Sequence, residues 1–407
     1  MVAAAGSRLH RREREIRDMQ AGREMLAAIL LSGSLLCGCS GGGGNSGGSG
    51  GGGGGTTTQT AATPTIATST NNGAQNGAMI ASLATTTSGA AIYYTLDSST
   101  PTTSSQVYQA PILVSSNITI KAIAAATGFN NSAVATQAFS PGIASGTLVW
   151  SDEFANSGNA PAEPNPSIWT YDIGTDCCGN NELETYCAWA STTGPCNPAN
   201  PNASLGTDGY LHIVAEQPTA GTATYTSARL KTQGLFSFQY GRIEAKIMVP
   251  ESQGMWPAFW MLGNNITTNP WPACGEADIM EHIDGNNTPF GGPGTGAAPG
   301  YDWAQSSIHG TGLNGGQPYT TAGFSAAAWH TYGMIWTKGQ IQYYIDDQTK
   351  PYETFTSATQ AGTWPFDQGP QFIILNLAVG GDWPGSPNAT TVFPSSMLVD
   401  YVRIYAN

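Results

Sequence analysis

Alternating apolar and polar positions run through the second half of the chain. In residues 242–249 every second side chain is apolar, and residues 341–346 repeat this pattern. A period of two is typical of β-strands that bury one face. Residues 372–379 are almost continuously apolar, as expected for an inner strand. Because no long stretch keeps a helical period, the chain is predicted to be all-β, with a two-sheet sandwich after residue 146.

The beginning of the chain has a different pattern. Residues 25–37 form an apolar run of signal-peptide length that is too short to span a bilayer comfortably. The run ends in a sequence that resembles a bacterial lipobox, with Cys39 as the acylated residue. We therefore predict a lipoprotein signal over residues 1–39, with a plain secretory signal as the alternative. The Gly- and Thr-rich residues 40–62 are predicted to be a flexible linker.

A small β-domain is predicted over residues 63–140. Short alternating segments rich in Thr, Ala and Ser are separated there by turns, which suggests a small antiparallel sandwich. The segments around residues 92–102 and 120–124 resemble the chitobiase C-terminal-like, Ig-like module of bacterial enzymes. All 11 Trp residues lie at or after Trp150, so the module has no Trp platform for sugar. We interpret it as a spacer, and a carbohydrate-binding module is the alternative.

Three carboxylates occur within six residues of the large domain. Glu276 and Asp278 share a face of an extended strand, whereas Glu281 points to the other face unless the strand contains one extra residue. A β-bulge near Ile279 and Met280 would return Glu281 to the same side, and bulges are common next to active sites. Two carboxyl groups about 5–5.5 Å apart on one face are what a retaining glycosidase needs. An acidic, solvated strand edge is the alternative.

Separate motifs in a fixed order support the catalytic interpretation. YGRIEAK at residues 240–246, WPAFWMLG at 256–263 and GEADIME at 275–281 follow one another. This order resembles glycoside hydrolase family 16, in particular its laminarinase-like β-1,3-glucanases. The resemblance implies a catalytic β-jelly roll over residues 146–407 with a concave sheet that forms a cleft.

The resemblance also implies roles for single residues. Glu276 would be the nucleophile, Glu281 the general acid and base, and Asp278 the group that tunes their proton affinities. The residues implied to contact sugar are Asn181, Arg229, Trp256, Trp260, Trp271, His309 and Trp383. For each of these residues a structural role is the alternative: a turn for Asn181, an ion pair in the sheet for Arg229, and core packing for the Trp residues.

No cofactor is expected for catalysis, but the resemblance implies a structural Ca²⁺ bound by oxygens of Glu153, Gly209 and Asp400. Hard cations prefer such oxygen ligands, and the alternative is a site without a metal. The large domain has five cysteines, namely Cys177, Cys178, Cys187, Cys196 and Cys274. An odd number leaves at least one thiol, so at most two internal disulfides are expected, with their pairing open.

The net charge and the motifs limit the classes of partner that the protein is expected to bind. The formal net charge of −13 excludes nucleic acid and anionic lipid as favoured partners. We predict an exported, monomeric enzyme at the outer membrane or cell surface, attached to the membrane only through lipid, or else secreted. Its predicted partner is β-1,3-glucan, which it cleaves internally. Agarase- or carrageenase-type hydrolysis is the enzymatic alternative, and β-glucan binding without cleavage is the alternative from another class.

Overall fold

The computed structural model describes residues 58–175, 179–219, 221–250, 252–283 and 303–407. Every regular element in these ranges is a β-strand, which confirms the predicted all-β class. None of the described residues forms a helix long and apolar enough to cross a membrane. The signal peptide, Cys39 and most of the linker lie outside the described residues, as do Cys177 and Cys178.

Nine strands form the N-terminal module. They are β1 Gln59–Thr60, β2 Thr65–Ser69, β3 Met79–Ala84, β4 Ala91–Thr95, β5 Gln106–Val107, β6 Ile112–Val114, β7 Ile118–Ala125, β8 Phe129–Asn130 and β9 Ala135–Phe139. A three-stranded sheet in the order β2-β3-β6 and a four-stranded sheet in the order β5-β4-β7-β9 enclose a small core. Tyr94 is buried in that core and Tyr108 packs against it. These positions favour core packing over sugar binding for both rings.

Seventeen further strands among the described residues form the large domain. They are β10 Leu148–Asp152, β11 Thr170–Asp172, β12 Glu184–Tyr186, β13 Ala203–Leu205, β14 Leu211–Ala215, β15 Tyr225–Ser227, β16 Arg229–Lys231, β17 Gly241–Met248, β18 Met255–Gly263, β19 Glu276–Glu281, β20 Ala304–Gly310, β21 Leu313–Tyr319, β22 His330–Thr337, β23 Gln340–Ile345, β24 Glu353–Thr356, β25 Gln371–Val379 and β26 Ser395–Tyr405.

Two large sheets pack face to face. One has eight strands in the order β13-β14-β26-β17-β22-β23-β24, with β10 also paired to β26. The other, here called the catalytic sheet, has seven strands in the order β11-β16-β25-β18-β19-β20-β21. Alternation along β18 sends Phe259 and Met261 into the shared core and leaves Trp256 and Trp260 on the opposite face. We call that opposite face the active face.

The N-terminal module pairs with the first strand of the large domain. The backbone N–H of Gln75 donates to the carbonyl oxygen of Val149 at 3.0 Å. The indole Nε1 of Trp150 donates to the carbonyl oxygen of Asn72 at 2.6 Å. Within the described residues β10 pairs only with β26 among the named strands. The module therefore covers a strand edge that would otherwise be open to pairing with another chain.

The two parts also share apolar packing. Ala78, Ile80 and Leu113 of the module belong to the same buried cluster as Trp150 and Phe236 of the large domain. Trp150 is fully buried and stacks on Phe236 with ring centroids 4.5 Å apart. The module is thus packed on the large domain rather than freely hinged. The spacer role of the module stays a prediction. Such a spacer would be packed against the large domain.

One disulfide joins Cys187 to Cys196 among the described residues. Cys274 is a buried free thiol in the same part of the chain. Both findings agree with the prediction that the large domain has at most two internal disulfides and at least one free thiol.

Candidate active site

The predicted bulge in β19 is present. On β18 the partners of Met280 and Asp278 are consecutive residues, so Ile279 is the extra residue in β19. The register opposite β20 also shifts between Asp278 and Glu281. Ile279 and Met280 both lie in the core cluster. Two successive inward side chains bring Glu281 back to the face that carries Glu276.

Contacts with Ser307 and His309 place the three carboxylates together. Ser307 Oγ donates to Asp278 Oδ2 at 2.5 Å and lies 3.4 Å from Glu281 Oε2. His309 Nε2 lies 3.1 Å from Asp278 Oδ2 and 3.9 Å from Glu276 Oε1. Glu276 and Asp278 are buried, whereas Glu281 and His309 keep partial exposure to solvent. The structure thus brings the predicted catalytic residues and His309 into one cluster.

The cluster shifts the proton affinities of its acids. Burial, and then the charge of Asp278, raise the pKa of Glu281 to about 8. Burial and the charge of Glu276 also raise the pKa of Asp278, against the hydrogen bonds from His309 and Ser307 that lower it. Glu281 therefore holds a proton at neutral pH, as a general acid must.

Two of the predicted Trp residues lie beside Glu281. Trp256 Nε1 donates to Glu281 Oε1 at 3.1 Å. Trp383 meets the Trp256 ring edge to face with centroids 5.4 Å apart, and the ring centroid of Trp303 lies 5.9 Å from that of Trp383. Trp256 is largely buried and Trp383 is half-buried. The pair forms an aromatic wall at the acid/base end of the active face.

Trp260 lies at the centre of a second group. Its Nε1 donates to Asn376 Oδ1 at 2.8 Å, and Asn376 Nδ2 donates to the hydroxyl of Tyr186 at 3.3 Å. The guanidinium of Arg229 lies 4.5 Å from the Trp260 ring centroid. Arg229 Nε also pairs with Asp172 Oδ2 at 3.0 Å. Arg229 therefore forms the ion pair in the sheet that was the alternative to a sugar contact. Its guanidinium also lies next to Trp260, a ring predicted to contact sugar.

Asn181 lies on an exposed loop that is bound to the Trp383 loop. Its Nδ2 donates to Asp382 Oδ1 at 2.7 Å, and the N–H of Asp382 donates to the carbonyl oxygen of Asn180 at 2.8 Å. Asn181 has a φ of +57°, a conformation that Asn tolerates better than most residues. Asn181 therefore has the structural role in a turn that was the alternative, and its contact with sugar stays a prediction.

Trp271 is more enclosed than the other predicted Trp residues. It is 7% exposed and packs in a small cluster with Leu262, Phe372 and Ile374, against which Trp260 also packs. This position favours the alternative of core packing. A direct contact with sugar stays a prediction for Trp271.

The two carboxylates among the predicted calcium ligands have other partners. Arg403 Nε and Nη2 donate to the carboxylate of Glu153 at 2.9 and 2.7 Å. Lys246 Nζ donates to Asp400 Oδ2 at 2.8 Å. Gly209 lies in the turn before β14. Because each carboxylate already has a cationic partner, these side chains do not fit a Ca²⁺ site as they stand, and calcium stays an untested prediction.

Four residues on the active face or in contact with β25 of the catalytic sheet were not predicted from the sequence. These are Ser307, Asn376, Tyr186 and Glu184, whose Oε2 accepts the N–H of Val379 at 2.7 Å. Ser307 could have been found because it lies two residues before His309 on one strand and so shares its face. Asn376 could have been found as the one polar residue in the apolar run 372–379.

Comparison with known proteins finds a matching family for each of the two domains. Residues 196–403 match the family described as Glycosyl hydrolases family 16, and residues 82–139 match Fn3 associated. A β-glucanase of Rhodothermus marinus is 37% identical over 265 residues, which cover 63% of this chain and 84% of the relative.

Solved structures agree with the sequence relatives. The catalytic domain of an endo-1,3-β-glucanase (laminarinase) from Thermotoga petrophila RKU-1 superimposes with a TM-score of 0.53 at 33% identity, covering 64% of this chain and 98% of that one. For the endo-β-1,3-glucanase of Pyrococcus furiosus the TM-score is 0.51 at 36% identity, with 64% and 94% covered. The module match to Fn3 associated differs from the predicted chitobiase C-terminal-like resemblance, which stays a prediction.

Proposed function

Because the chain belongs to glycosyl hydrolases family 16 and is a glycosidase, we propose that it is an endo-acting, retaining enzyme that cleaves β-1,3-glucan. The observation that carries the proposal is the bulge at Ile279, which gathers Glu276, Asp278 and Glu281 on one face. The β-1,3-glucanase relatives support the linkage, and both glutamates are present, which disfavours a protein that only binds glucan.

The proposed reaction has two steps. The Glu276 carboxylate attacks the anomeric carbon, the glycosidic C–O bond breaks, and Glu281 gives its proton to the departing sugar oxygen. Water then attacks the glycosyl–enzyme ester, Glu281 takes a proton from that water, and Glu276 leaves as a carboxylate. The raised pKa of Glu281 supports this role, because the group is protonated before the first step.

The substrate contacts are proposed along the same face. Trp256 and Trp383 on one side, and Trp260 with Arg229 on the other, offer ring faces and hydrogen-bond donors to a sugar chain. His309 lies beside Glu276 and Asp278, and we assign it to the sugar bound next to the cleavage point. The proposed sugar-binding residues also include Asn181, on the exposed loop, and Trp271, in the enclosed cluster with Leu262.

Attachment to a membrane is a separate part of the proposal. The apolar run and Cys39, which lie outside the described residues, support a lipid anchor followed by a linker. Expression of the parent and of Cys39→Ala, followed by fractionation, tests it. The parent should sediment with membranes and the variant should be released. Equal release of both proteins would contradict the anchor.

One assay tests the proposed substrate. The protein is incubated with laminarin, lichenan, agarose and carrageenan, and the released sugars are identified. Laminarin-derived oligomers of several lengths support an endo-acting β-1,3-glucanase. Neoagaro-type or carrageenan oligomers would move the assignment to the alternative substrate class, and binding without products would indicate a glucan-binding protein.

A further inference from the structure

The hydroxyl of Ser307 lies among the titratable groups of the active face. Its Oγ is 2.5 Å from Asp278 Oδ2, 3.2 Å from His309 Nε2 and 3.4 Å from Glu281 Oε2. Ser307 is 1% exposed. A hydroxyl carries one proton and so can donate to one acceptor at a time. The distances assign that proton to Asp278.

We propose that Ser307 is a positioning residue whose hydroxyl proton is committed to Asp278 and so keeps this carboxylate ionised and fixed between the nucleophile and the acid/base. The proposal rests on the proposed glycosidase function. It adds a residue outside the predicted catalytic and substrate-binding set, acting through Asp278 without touching substrate.

The groups around Asp278 explain why a permanent donor matters. From β19, the charge of Glu276 opposes ionisation of Asp278 before the first step, and Glu281 becomes negatively charged only after it has lost its proton. From β20, His309 contacts Asp278, but its donation depends on the tautomer and charge of the imidazole. The Ser307 hydroxyl donates whatever the state of His309. From β23 below, Tyr343 donates its hydroxyl to the carbonyl oxygen of Ser307 at 2.9 Å and so fixes the Ser307 backbone.

An ionised Asp278 assists both proposed steps. Its charge raises the pKa of Glu281, so Glu281 holds a proton before the glycosidic bond breaks. After that proton has gone to the leaving group, the same charge increases the affinity of Glu281 for the proton that it takes from water. Protonation of Asp278 would remove this assistance, and the Ser307 hydrogen bond lowers the pKa of Asp278.

The test compares pH profiles of kcat/KM on laminarin for the parent, Ser307→Ala and Ser307→Thr. Loss of a donor to a carboxylate should move the acidic limb of the Ala variant upward by about one pH unit. Thr keeps a hydroxyl and should restore the parental limb. Ser227→Ala is the matched control, because Ser227 is equally buried and donates to the carbonyl oxygen of Leu377 at 2.5 Å. Its acidic limb should stay in place.

A second readout is independent of turnover. Titration of the Asp278 carboxyl carbon by NMR in protein labelled with ¹³C-Asp should give a higher pKa in Ser307→Ala than in the parent. If that variant does not fold, Ser307→Cys, with a weaker donor of similar shape, should show a smaller rise in the same direction. An unchanged Asp278 titration in a folded variant overturns the proposal. A parent that cleaves no glucan but shows the expected titration overturns only the proposed function.

Discussion

The indole Nε1 of Trp256 donates a hydrogen bond to Glu281 Oε1 over 3.1 Å. This contact joins an aromatic residue of β18 to the acid/base across the bulge of β19. A donor favours the ionised form of a carboxylate, so the indole lowers the pKa of Glu281 while burial and Asp278 raise it. Trp256 therefore has an electrostatic role in addition to its proposed role in stacking on sugar.

Replacement of the indole donor should change the basic side of the pH profile. In Trp256→Phe the aromatic bulk is largely kept but the N–H is lost, so the pKa of Glu281 should rise. The basic limb of kcat/KM should move upward by about one pH unit, since a hydrogen bond to a charged group is worth about 1.5–3 kcal/mol. Trp383→Phe keeps the Trp256 donor and should leave the limb in place. If the basic limb of Trp256→Phe lies at the same pH as that of the parent, the indole of Trp256 does not lower the pKa of Glu281.

Stability should also report the proton on Glu281. The folded-state pKa is about 8 against an ordinary value of 4.5. The folded protein thus binds this proton more tightly than the unfolded chain, and the associated stability is full below about 4.5 and lost as pH rises towards 8. The slope is at most about 1.4 kcal/mol per pH unit for one proton. Melting temperatures of Glu281→Gln should therefore fall less between pH 5 and 8 than those of the parent. Parallel curves would show that Glu281 titrates at its ordinary pKa.

The bulge has its own hydrogen-bond support. Ser306 Oγ donates to the carbonyl oxygen of Ile279 at 2.8 Å, and the Tyr352 hydroxyl lies 2.6 Å from Ser306 Oγ. Ser306→Ala leaves a buried carbonyl without this donor, which should lower stability by about 1–3 kcal/mol and reduce kcat at every pH. Tyr352→Phe keeps the Ser306 donor and is the matched control. Denaturant melts and kcat values for both variants test this role, which fails if the two behave alike.

The packed N-terminal module gives a prediction on stability alone. A Cβ on Gly73 would lie 2.4 Å from the carbonyl oxygen of Ser151, whereas a Cβ on Gly89 meets nothing within 4 Å. Both glycines have positive φ angles, +90° and +71°. Gly73→Ala and Gly89→Ala thus share the backbone strain, and only Gly73→Ala disturbs the contact between module and large domain. Calorimetry should show Gly73→Ala melting at clearly lower temperature. Equal melting of the two variants would contradict the packed arrangement.

Much of the fold could be predicted from the sequence because its signals are local. The period of two in β17 and the apolar run in β25 are direct consequences of which faces are buried. The bulge could be predicted because Glu276 and Glu281 have the wrong spacing for a shared face in a regular strand. The packing of the module on Trp150 could not be predicted, since it depends on a contact between residues 78 positions apart in the sequence.

The limits of prediction at the site have the same cause. Glu276, Asp278 and Glu281 are recognisable by spacing, whereas Ser307 and Asn376 belong to the site only because β20 and β25 flank β19 and β18 in the sheet. The ion pairs of Glu153 and Asp400 also join distant segments. Sequence motifs imply a metal there, but the cationic partners become visible only after the strands are paired.

The stereochemistry of hydrolysis tests the central claim most directly. If Glu276 and Glu281 act from one face through a glycosyl–enzyme ester, two displacements occur at the anomeric carbon and its configuration is kept. Proton NMR in the first minutes of laminarin hydrolysis should therefore show the β-anomer of the new reducing end before mutarotation produces the α-anomer. First appearance of the α-anomer would mean a single displacement by water and would contradict the assignment of Glu276 as the nucleophile.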